Sequence, residues 1–309
     1  MKNTTTQKEA MMKDFTFGVE VEMNVLTRQD AAKATAQALG IRRKPKFQAD
    51  GYMTWAVTDK DGREWKISRD TSIHGPDDEK CELITPILEP KDLPALLKIL
   101  EALKAAGAVS NPRVGAGVHI HVGRKDGFTL KGILNLVNIM TAHEEQIGRA
   151  IRIDEERTNR YCKVIDPNFL ALIDRKKPTT FRDLEDCWYK SDTANYNRQS
   201  HYNFSRYHML NLHSFFNGHG TVEFRLFQFS NERGIDTDEM EAYILLCLGM
   251  CALAEAQKSA SRKPQQEENE KYALRCWLLR LGFIGDEFKN ARAALLKNCE
   301  GNAAWRKVC

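Results

Sequence analysis

A strict alternation of apolar and polar residues between positions 15 and 25 is the feature that most constrains the fold. Period-two alternation is typical of a β-strand that buries one face. The same pattern returns in GVHIHVG at 117–123 and in TVEFRLFQF at 221–229. These segments predict strands whose second face is lined by the intervening residues. In the first strand the apolar positions are Phe15, Phe17, Val19, Val21, Met23 and Val25.

Helices of uneven length separate the strands. The segment at 154–190 is predicted to be irregular because Pro167 and Pro178 interrupt it. Uneven spacing and several hairpins favour an α+β fold with an antiparallel sheet over a doubly wound fold. The patterns predict helices at 30–39 (capped by Asp30), 94–106, 130–149, 237–257, 271–282 and 286–297, short strands near Phe47 and at 53–58 and 64–69, and a hairpin with arms at 207–216 and 221–229 joined by NGHG.

Length and charge exclude several classes of protein. A chain of 309 residues buries about 75% of its unfolded surface without needing disulfides or metal, so the eight cysteines are predicted to be reduced thiols. The net charge is only +4 and no long basic run stands out, so charge does not indicate a nucleic acid or an anionic membrane as partner. No apolar stretch is long enough for a signal sequence or a membrane span, which predicts a cytoplasmic protein.

Composition shifts suggest where the chain divides. Residues 1–13 are polar and lack periodicity, which predicts a disordered tail. The stretch KSASRKPQQEENE interrupts the pattern with charge and a proline. We therefore predict a main domain at 14–258 and a C-terminal helical extension at 259–309.

Two acidic residues lie on the polar face of the first strand. Glu20 and Glu22 are two positions apart, so their side chains point to the same face, roughly 6 to 7 Å apart along the backbone. An ordinary half-solvated strand is the simpler interpretation. Two like charges with no basic partner on the strand nevertheless repel each other unless a cation lies between them. Mg²⁺ or Mn²⁺ is the cation that carboxylates suit best.

Other strands repeat this arrangement. His119 and His121 share one face of GVHIHVG, and they could bind metal or an anion, or simply be satisfied polar residues. Glu223 and Arg225 share one face of the last strand, either as a surface ion pair or as a metal ligand beside a phosphate-binding arginine. Glu82 lies within the hydrophobic stretch CELITPIL. Together these positions predict one sheet face that lines a charged cleft.

The combination points to the chemistry of nucleotide phosphates. Several carboxylates could hold divalent ions, and an arginine could grip a phosphate. The P-loop signature GxxxxGK[ST] is absent, and so is a GxGxxG between a strand and a helix. The sequence therefore predicts a nucleotide site without a P-loop.

The order of motifs resembles the amidoligases, a branch of the carboxylate-amine ligases related to glutamine synthetase and glutamate-cysteine ligase. The resemblance spans residues 15 to about 230, which makes 14–258 the catalytic domain. The motifs are FGVEVE, DTSI at 70–73, CELITPIL, GAGVHIHVG, RYHMLNLHSFF and GTVEFRLFQ.

This resemblance implies a curved antiparallel sheet that forms a funnel, with helices outside. It also implies ATP- and Mg²⁺-dependent formation of an amide or peptide-like bond through an acyl phosphate, with Mn²⁺ as a possible substitute. The substrates would be small-molecule or peptide carboxylates and amines. The implied metal ligands are Glu20, Glu22, Glu82 and Glu223. The implied catalytic residues are Glu22, His119, His121 and Arg225. The implied nucleotide-binding residues are Glu82, Arg206, Asn211 and Arg225.

Two alternative functions remain compatible with the residues. One is a metal-dependent hydrolase or oxygenase in which His119, His121 and Glu223 hold zinc or iron. The other is a non-catalytic nucleotide-binding module. The first leaves Arg225 and the remaining carboxylates without a role.

Overall fold

The computed structural model describes residues 13–191, 197–232, 234–264 and 268–305. Its strands belong to one sheet and hydrogen-bond in the order β2-β3-β4-β5-β1-β6-β8-β7. The pairs β1–β5, β2–β3, β3–β4, β4–β5 and β7–β8 are antiparallel, which confirms the α+β class, whereas the funnel shape stays a prediction. The strands are β1 (Phe15–Met23), β2 (Lys46–Gln48), β3 (Thr54–Thr58), β4 (Glu64–Ser68), β5 (Cys81–Ile84), β6 (Val118–Arg124), β7 (Leu210–Asn211) and β8 (Val222–Phe227).

The helices begin and end within a few residues of the predicted bounds wherever a helix was predicted. Among the described residues, no helix combines the length and the apolar character that crossing a membrane requires. The helices are α1 (Arg28–Ala38), α2 (Leu93–Ala105), α3 (Leu130–Ile151), α4 (Glu155–Arg160), α5 (Pro167–Lys176), α6 (Phe181–Ser191), α7 (Thr237–Ala256), α8 (Glu270–Arg280) and α9 (Lys289–Leu296).

The chain divides into two compact units. The first unit contains Thr16–Ile120 and Phe227–Ile244, and the second contains Met1–Phe15, His121–Leu226 and Leu245–Cys309. The predicted boundary at residue 258 stays a prediction, as does the disordered tail, since residues 1–12 lie outside the described residues.

The core of the first unit follows the predicted alternation. Phe17, Val19 and Val21 are all at most 2% exposed, because they point away from the polar face of β1. Val25 departs from the predicted alternation, since β1 ends at Met23 and Val25 is 52% exposed. The cap of α1 also differs from the prediction. The N-cap is Thr27 rather than Asp30, since the Thr27 hydroxyl accepts the Asp30 N–H at 3.1 Å and donates to the Asp30 carboxylate at 2.8 Å. This reciprocal pair starts the helix earlier than predicted.

The second unit departs from the prediction at 154–190, which forms the short helices α4, α5 and α6 rather than irregular chain. Asp154 and Asp166 cap α4 and α5 by accepting backbone N–H groups at 2.9 and 2.8 Å. Pro167 occupies the first turn of α5, where a missing N–H costs no hydrogen bond. Pro178 follows the end of that helix. The prolines therefore mark helix boundaries within a helical segment.

The predicted hairpin is present, but its first arm is much shorter than expected. Leu210 and Asn211 pair with β8, opposite Phe224 and Glu223, and the Met209 carbonyl accepts the Arg225 N–H at 2.9 Å. The chain then makes a helical turn in which the N–H groups of Phe215 and Phe216 both donate to the Leu212 carbonyl at 3.0 Å. The helical geometry breaks at Asn217 and Gly218. NGHG thus lies at a kink, with Gly218 and Gly220 both in the left-handed region, and does not form a tight hairpin turn.

A buried carboxyl group in α3 makes stability depend on pH. Glu144 is 6% exposed, and one of its oxygens accepts the Ile165 N–H at 2.9 Å. Burial raises the pKa of Glu144 from 4.5 to about 8. Because the carboxyl group ionises more easily in the unfolded chain, the free energy of unfolding should fall as pH rises from 4.5 to about 8, and then level off.

Glu144→Gln is expected to remove this pH dependence while keeping an acceptor for Ile165. Near pH 4.5 the free energy of unfolding of the variant should equal that of the wild-type protein. Near pH 8 it should be higher by a few kcal/mol, at most about 5. Urea unfolding across this pH range measures the difference. The control Glu287→Gln changes an exposed carboxylate and should show no such trend. A difference in the free energy of unfolding between the variant and the wild-type protein that stays constant with pH would contradict the raised pKa of Glu144.

Candidate active site

The polar face of β1 carries the first group of predicted site residues. Glu22 is 5% exposed, whereas the side chain of Glu20 is 25% exposed. Antiparallel pairing places Glu22 directly opposite Glu82 on β5, and Glu82 in turn opposite Ser68 on β4. Directly paired residues on antiparallel strands point to the same face, so two carboxylates face each other next to the buried core. This arrangement favours a cation between them.

His119 on β6 completes this group. Its Nδ1 lies 3.1 Å from Glu20 Oε2, and since a carboxylate only accepts, Nδ1 is the donor. In the neutral ring Nε2 then carries the lone pair, and it lies 3.8 Å from Glu22 Oε1. That separation is too long for a hydrogen bond, but it suits two ligands that each lie about 2.1 Å from one ion. Glu20 thus orients the imidazole toward Glu22.

The donor atoms of Glu22, Glu82 and His119 all lie within 4.8 Å of one another, so these three residues could hold a metal ion. The second oxygen of Glu22 accepts the Gly117 N–H at 2.6 Å, which fixes the carboxylate plane. The sequence did not reveal this contact, because a backbone donor leaves no side-chain signal. We call Glu20, Glu22, Glu82 and His119 the carboxylate cluster; all four belong to the first unit.

The turn DTSI has a structural role next to the GAG segment. Asp70 accepts both the N–H and the hydroxyl of Ser72 at 2.7 Å, which closes a local turn. Gly115 has φ +72°, and an added Cβ would approach the Ser72 carbonyl to 3.1 Å. The glycine is therefore explained by its backbone conformation and by close packing against the turn.

The second group of predicted residues lies on β7 and β8 of the second unit. Asn211, Glu223 and Arg225 are each at most 5% exposed. Asn211 Nδ2 donates to Glu223 Oε2 at 2.6 Å, and the Arg225 guanidinium donates to Glu223 Oε1. Both oxygens of Glu223 therefore accept hydrogen bonds, so this carboxylate orients the guanidinium. We call these three residues the arginine cluster.

Two further residues, His213 and Tyr189, support the arginine cluster. The His213 N–H donates to Asn211 Oδ1 at 2.8 Å, which leaves Asn211 Nδ2 to face Glu223. His213 Nε2 lies 2.9 Å from the Ser200 carbonyl, so Nε2 is the donor and Nδ1 accepts the Tyr189 hydroxyl at 2.5 Å. Burial lowers the pKa of His213 and raises that of Tyr189 to about 12, which keeps both neutral.

Neither supporting residue was predicted. His213 lies in the motif RYHMLNLHSFF but outside any alternating strand, and Tyr189 lies in the segment that was predicted to be irregular. The sequence carried no spacing signal for their contact, because they are 24 positions apart on different elements.

Aromatic rings flank the arginines of the second unit. The Arg225 guanidinium carbon lies 5.8 Å from the centre of the Tyr207 ring, and that of Arg206 lies 5.9 Å from the same ring. The carbonyl of Arg225 accepts a hydrogen bond from Arg157 at 2.9 Å. Arg206 is partly exposed and donates to the His201 carbonyl at 3.1 Å. Arg225 is thus buried and fixed by several contacts, whereas Arg206 lies nearer the surface.

His121 has different neighbours from His119. Its Nδ1 lies 3.4 Å from the Ser214 hydroxyl and 3.5 Å from the Thr221 hydroxyl, all within the second unit. Among the described residues, His121 belongs to no set of three potential ligands whose donor atoms lie within 4.8 Å of one another. The structure therefore does not group His121 with metal ligands.

Comparison with known proteins identifies the family. No curated protein matches the chain. Among solved structures, a bifunctional glutathione synthetase from Pasteurella multocida is similar, with a TM-score of 0.47 and 15% identity over 94% of this chain and 48% of that chain. The present chain thus spans about half the length of that structure. The family model described as "putative amidoligase enzyme" matches residues 13–251, most of the sequence. The chain belongs to this amidoligase family.

Proposed function

We propose that the protein is an ATP-dependent carboxylate-amine ligase that requires a divalent cation. Family membership supports a ligase-type reaction that forms a C–N bond. The observation that carries the proposal is the pair of facing carboxylates, Glu22 and Glu82, with His119 within 4.8 Å. This group suits a cation that accompanies nucleotide phosphates.

The donor set fits a divalent cation. Two carboxylates suit Mg²⁺ and Mn²⁺, and the imidazole adds a ligand type that Mn²⁺ accepts more readily than Mg²⁺. Glu22, Glu82 and His119 would hold the ion, and Glu20 would orient His119. When bound, the ion would offset the negative charge of the nucleotide phosphates. We also propose that Glu223 offers its remaining lone pairs to a cation while it orients Arg225.

The proposed reaction has two steps. A substrate carboxylate oxygen attacks the γ-phosphorus of ATP, which forms an acyl phosphate and releases ADP. The nitrogen of an amine then attacks the acyl carbon, phosphate leaves, and the nitrogen loses a proton to give the amide. Arg225 would stabilise the transferring phosphoryl group, with Arg206 and Asn211 in the nucleotide-binding set. This assignment suits a guanidinium that is already oriented by Glu223.

The geometry favours the ligase over the hydrolase or oxygenase. That alternative needs His119 and His121 in one ligand set, yet His121 contacts the hydroxyls of Ser214 and Thr221. It also leaves the facing carboxylates Glu22 and Glu82 without a role.

Trapping with hydroxylamine tests the proposal directly. We expect hydroxamate to form only when ATP, a substrate carboxylate and Mg²⁺ or Mn²⁺ are all present, because hydroxylamine captures acyl phosphates. The measurement is phosphate release and hydroxamate yield across a panel of amino-acid carboxylates and amines.

Each alternative function gives a different result. Phosphate release without hydroxamate on any carboxylate would contradict the acyl-phosphate route. Tightly held stoichiometric zinc or iron would favour the hydrolase or oxygenase, and ATP binding without turnover across the panel would favour a non-catalytic module.

A further inference from the structure

A short cluster of positive charge lies beside the edge strand β2, away from the residues discussed so far. Arg42, Arg43, Lys44 and Lys46 are all exposed, and no acidic residue interrupts them. Within the described part of the chain, none of the four forms a salt bridge. These four neighbouring cations create a local positive potential that can attract an anionic partner.

A cavity of about 490 Å³ opens beside this cluster, within the first unit. It exists because the ladder between β2 and β3 ends at the pair Lys46–Ala56. In the same register Pro45 would come next, but proline has no N–H with which to continue the ladder. We call this space the edge cavity. One side is lined by Ile41 and residues 43–46, and the other by Ala56, Val57 and Thr58.

The wall formed by β3 suits an extended peptide. Successive residues of a strand turn their N–H and C=O groups to opposite edges, so either Val57 or Thr58 directs both groups toward β2. β2 is the last strand of the sheet on this side. An extended segment entering the edge cavity could therefore add backbone hydrogen bonds to β3.

We propose that the edge cavity binds an acidic peptide segment in extended conformation, which pairs with β3 while its carboxylates contact Arg43, Lys44 and Lys46. Five residues span at most roughly 16 Å when fully extended, so residues 42–46 can face only a short segment. Four cations also offer few phosphate contacts beside the about six to ten of a strongly salt-dependent DNA-binding protein, which favours a peptide over a nucleic acid. Lysine and proline on an edge strand also discourage unwanted strand pairing, and this alternative predicts no binding at all. The proposal is independent of the ligase reaction.

Binding of a fluorescently labelled hexaglutamate peptide to the full chain, followed by anisotropy, tests the proposal. We expect binding at about 50 mM salt that weakens as salt rises, because exposed charges are screened. The triple variant Arg43→Gln, Lys44→Gln, Lys46→Gln should bind at least about tenfold more weakly. A matched variant, Lys104→Gln, Lys176→Gln, Lys289→Gln, loses the same charge at exposed lysines elsewhere and should bind as the wild-type protein does. Circular dichroism should show that both variants are folded.

A second peptide separates strand pairing from simple charge attraction. Hexaglutamate with N-methyl groups on alternate residues keeps its charge but loses backbone donors, so it should bind at least about fivefold more weakly. Equal binding of the two peptides would overturn strand addition. Tighter binding of a six-phosphate oligothymidylate would make the partner a nucleic acid, and absence of peptide binding at low salt would mean that the cations only protect the edge.

Discussion

Glu22→Gln is expected to lower ATP turnover by about 10³-fold or more without unfolding the protein. The change removes a charged ligand from the carboxylate cluster, while the glutamine oxygen can still accept the Gly117 N–H. Without metal, the melting temperature should stay level or rise, because one of two facing like charges is lost. Adding Mn²⁺ should stabilise the wild-type protein but have little effect on the variant.

The measurements are phosphate release and thermal unfolding with and without Mn²⁺. Glu64→Gln, an exposed carboxylate on β4, is the matched control and should retain both activity and stabilisation by metal. Full activity of Glu22→Gln would refute the metal assignment. A large fall in its metal-free melting temperature would show instead that the carboxylate stabilises the fold.

Arg225→Lys is expected to lower kcat by about 10²-fold while KM for ATP changes less. Lysine keeps the positive charge beside Glu223, so the buried ion pair survives, but it cannot reproduce the planar fork that matches a phosphoryl group. The protein should therefore fold, and the loss should appear in the chemical step.

Arg206→Lys provides the comparison for this variant. Arg206 is partly exposed and contacts Tyr202 and Tyr207, so its replacement should affect KM for ATP more than kcat. Steady-state kinetics of both variants, with melting temperatures, distinguish the two roles. If Arg225→Lys retains the wild-type kcat, Arg225 serves only as the structural partner of Glu223.

Much of the fold was predictable because it depends on local pattern. The alternation in β1 predicted the burial of the apolar residues from Phe15 to Met23, although Glu22 is buried as well. The helices at 94–106 and 130–149 were found close to their predicted bounds. The segment at 154–190 was predicted wrongly, since its prolines look like interruptions until the capping contacts of Asp154 and Asp166 are known.

The candidate site was predictable residue by residue, but its contacts were not. Strand parity alone placed Glu20 with Glu22 and Glu223 with Arg225, because side chains two positions apart in a strand point to the same face. The alternation of side chains within a strand carries no information on which strands are neighbours or on their register. Sequence also cannot reveal backbone donors such as Gly117.

The long-range pairing of strands created the two groups that matter for function. The register of β1 against β5 sets Glu22 opposite Glu82 across 60 positions of sequence, and β6 adds His119. In the second unit, folding brings His213 and Tyr189 together to hold Asn211 against Glu223. These contacts depend on packing between elements distant in sequence, whereas the identity of the alternating charged residues is a property of each strand alone.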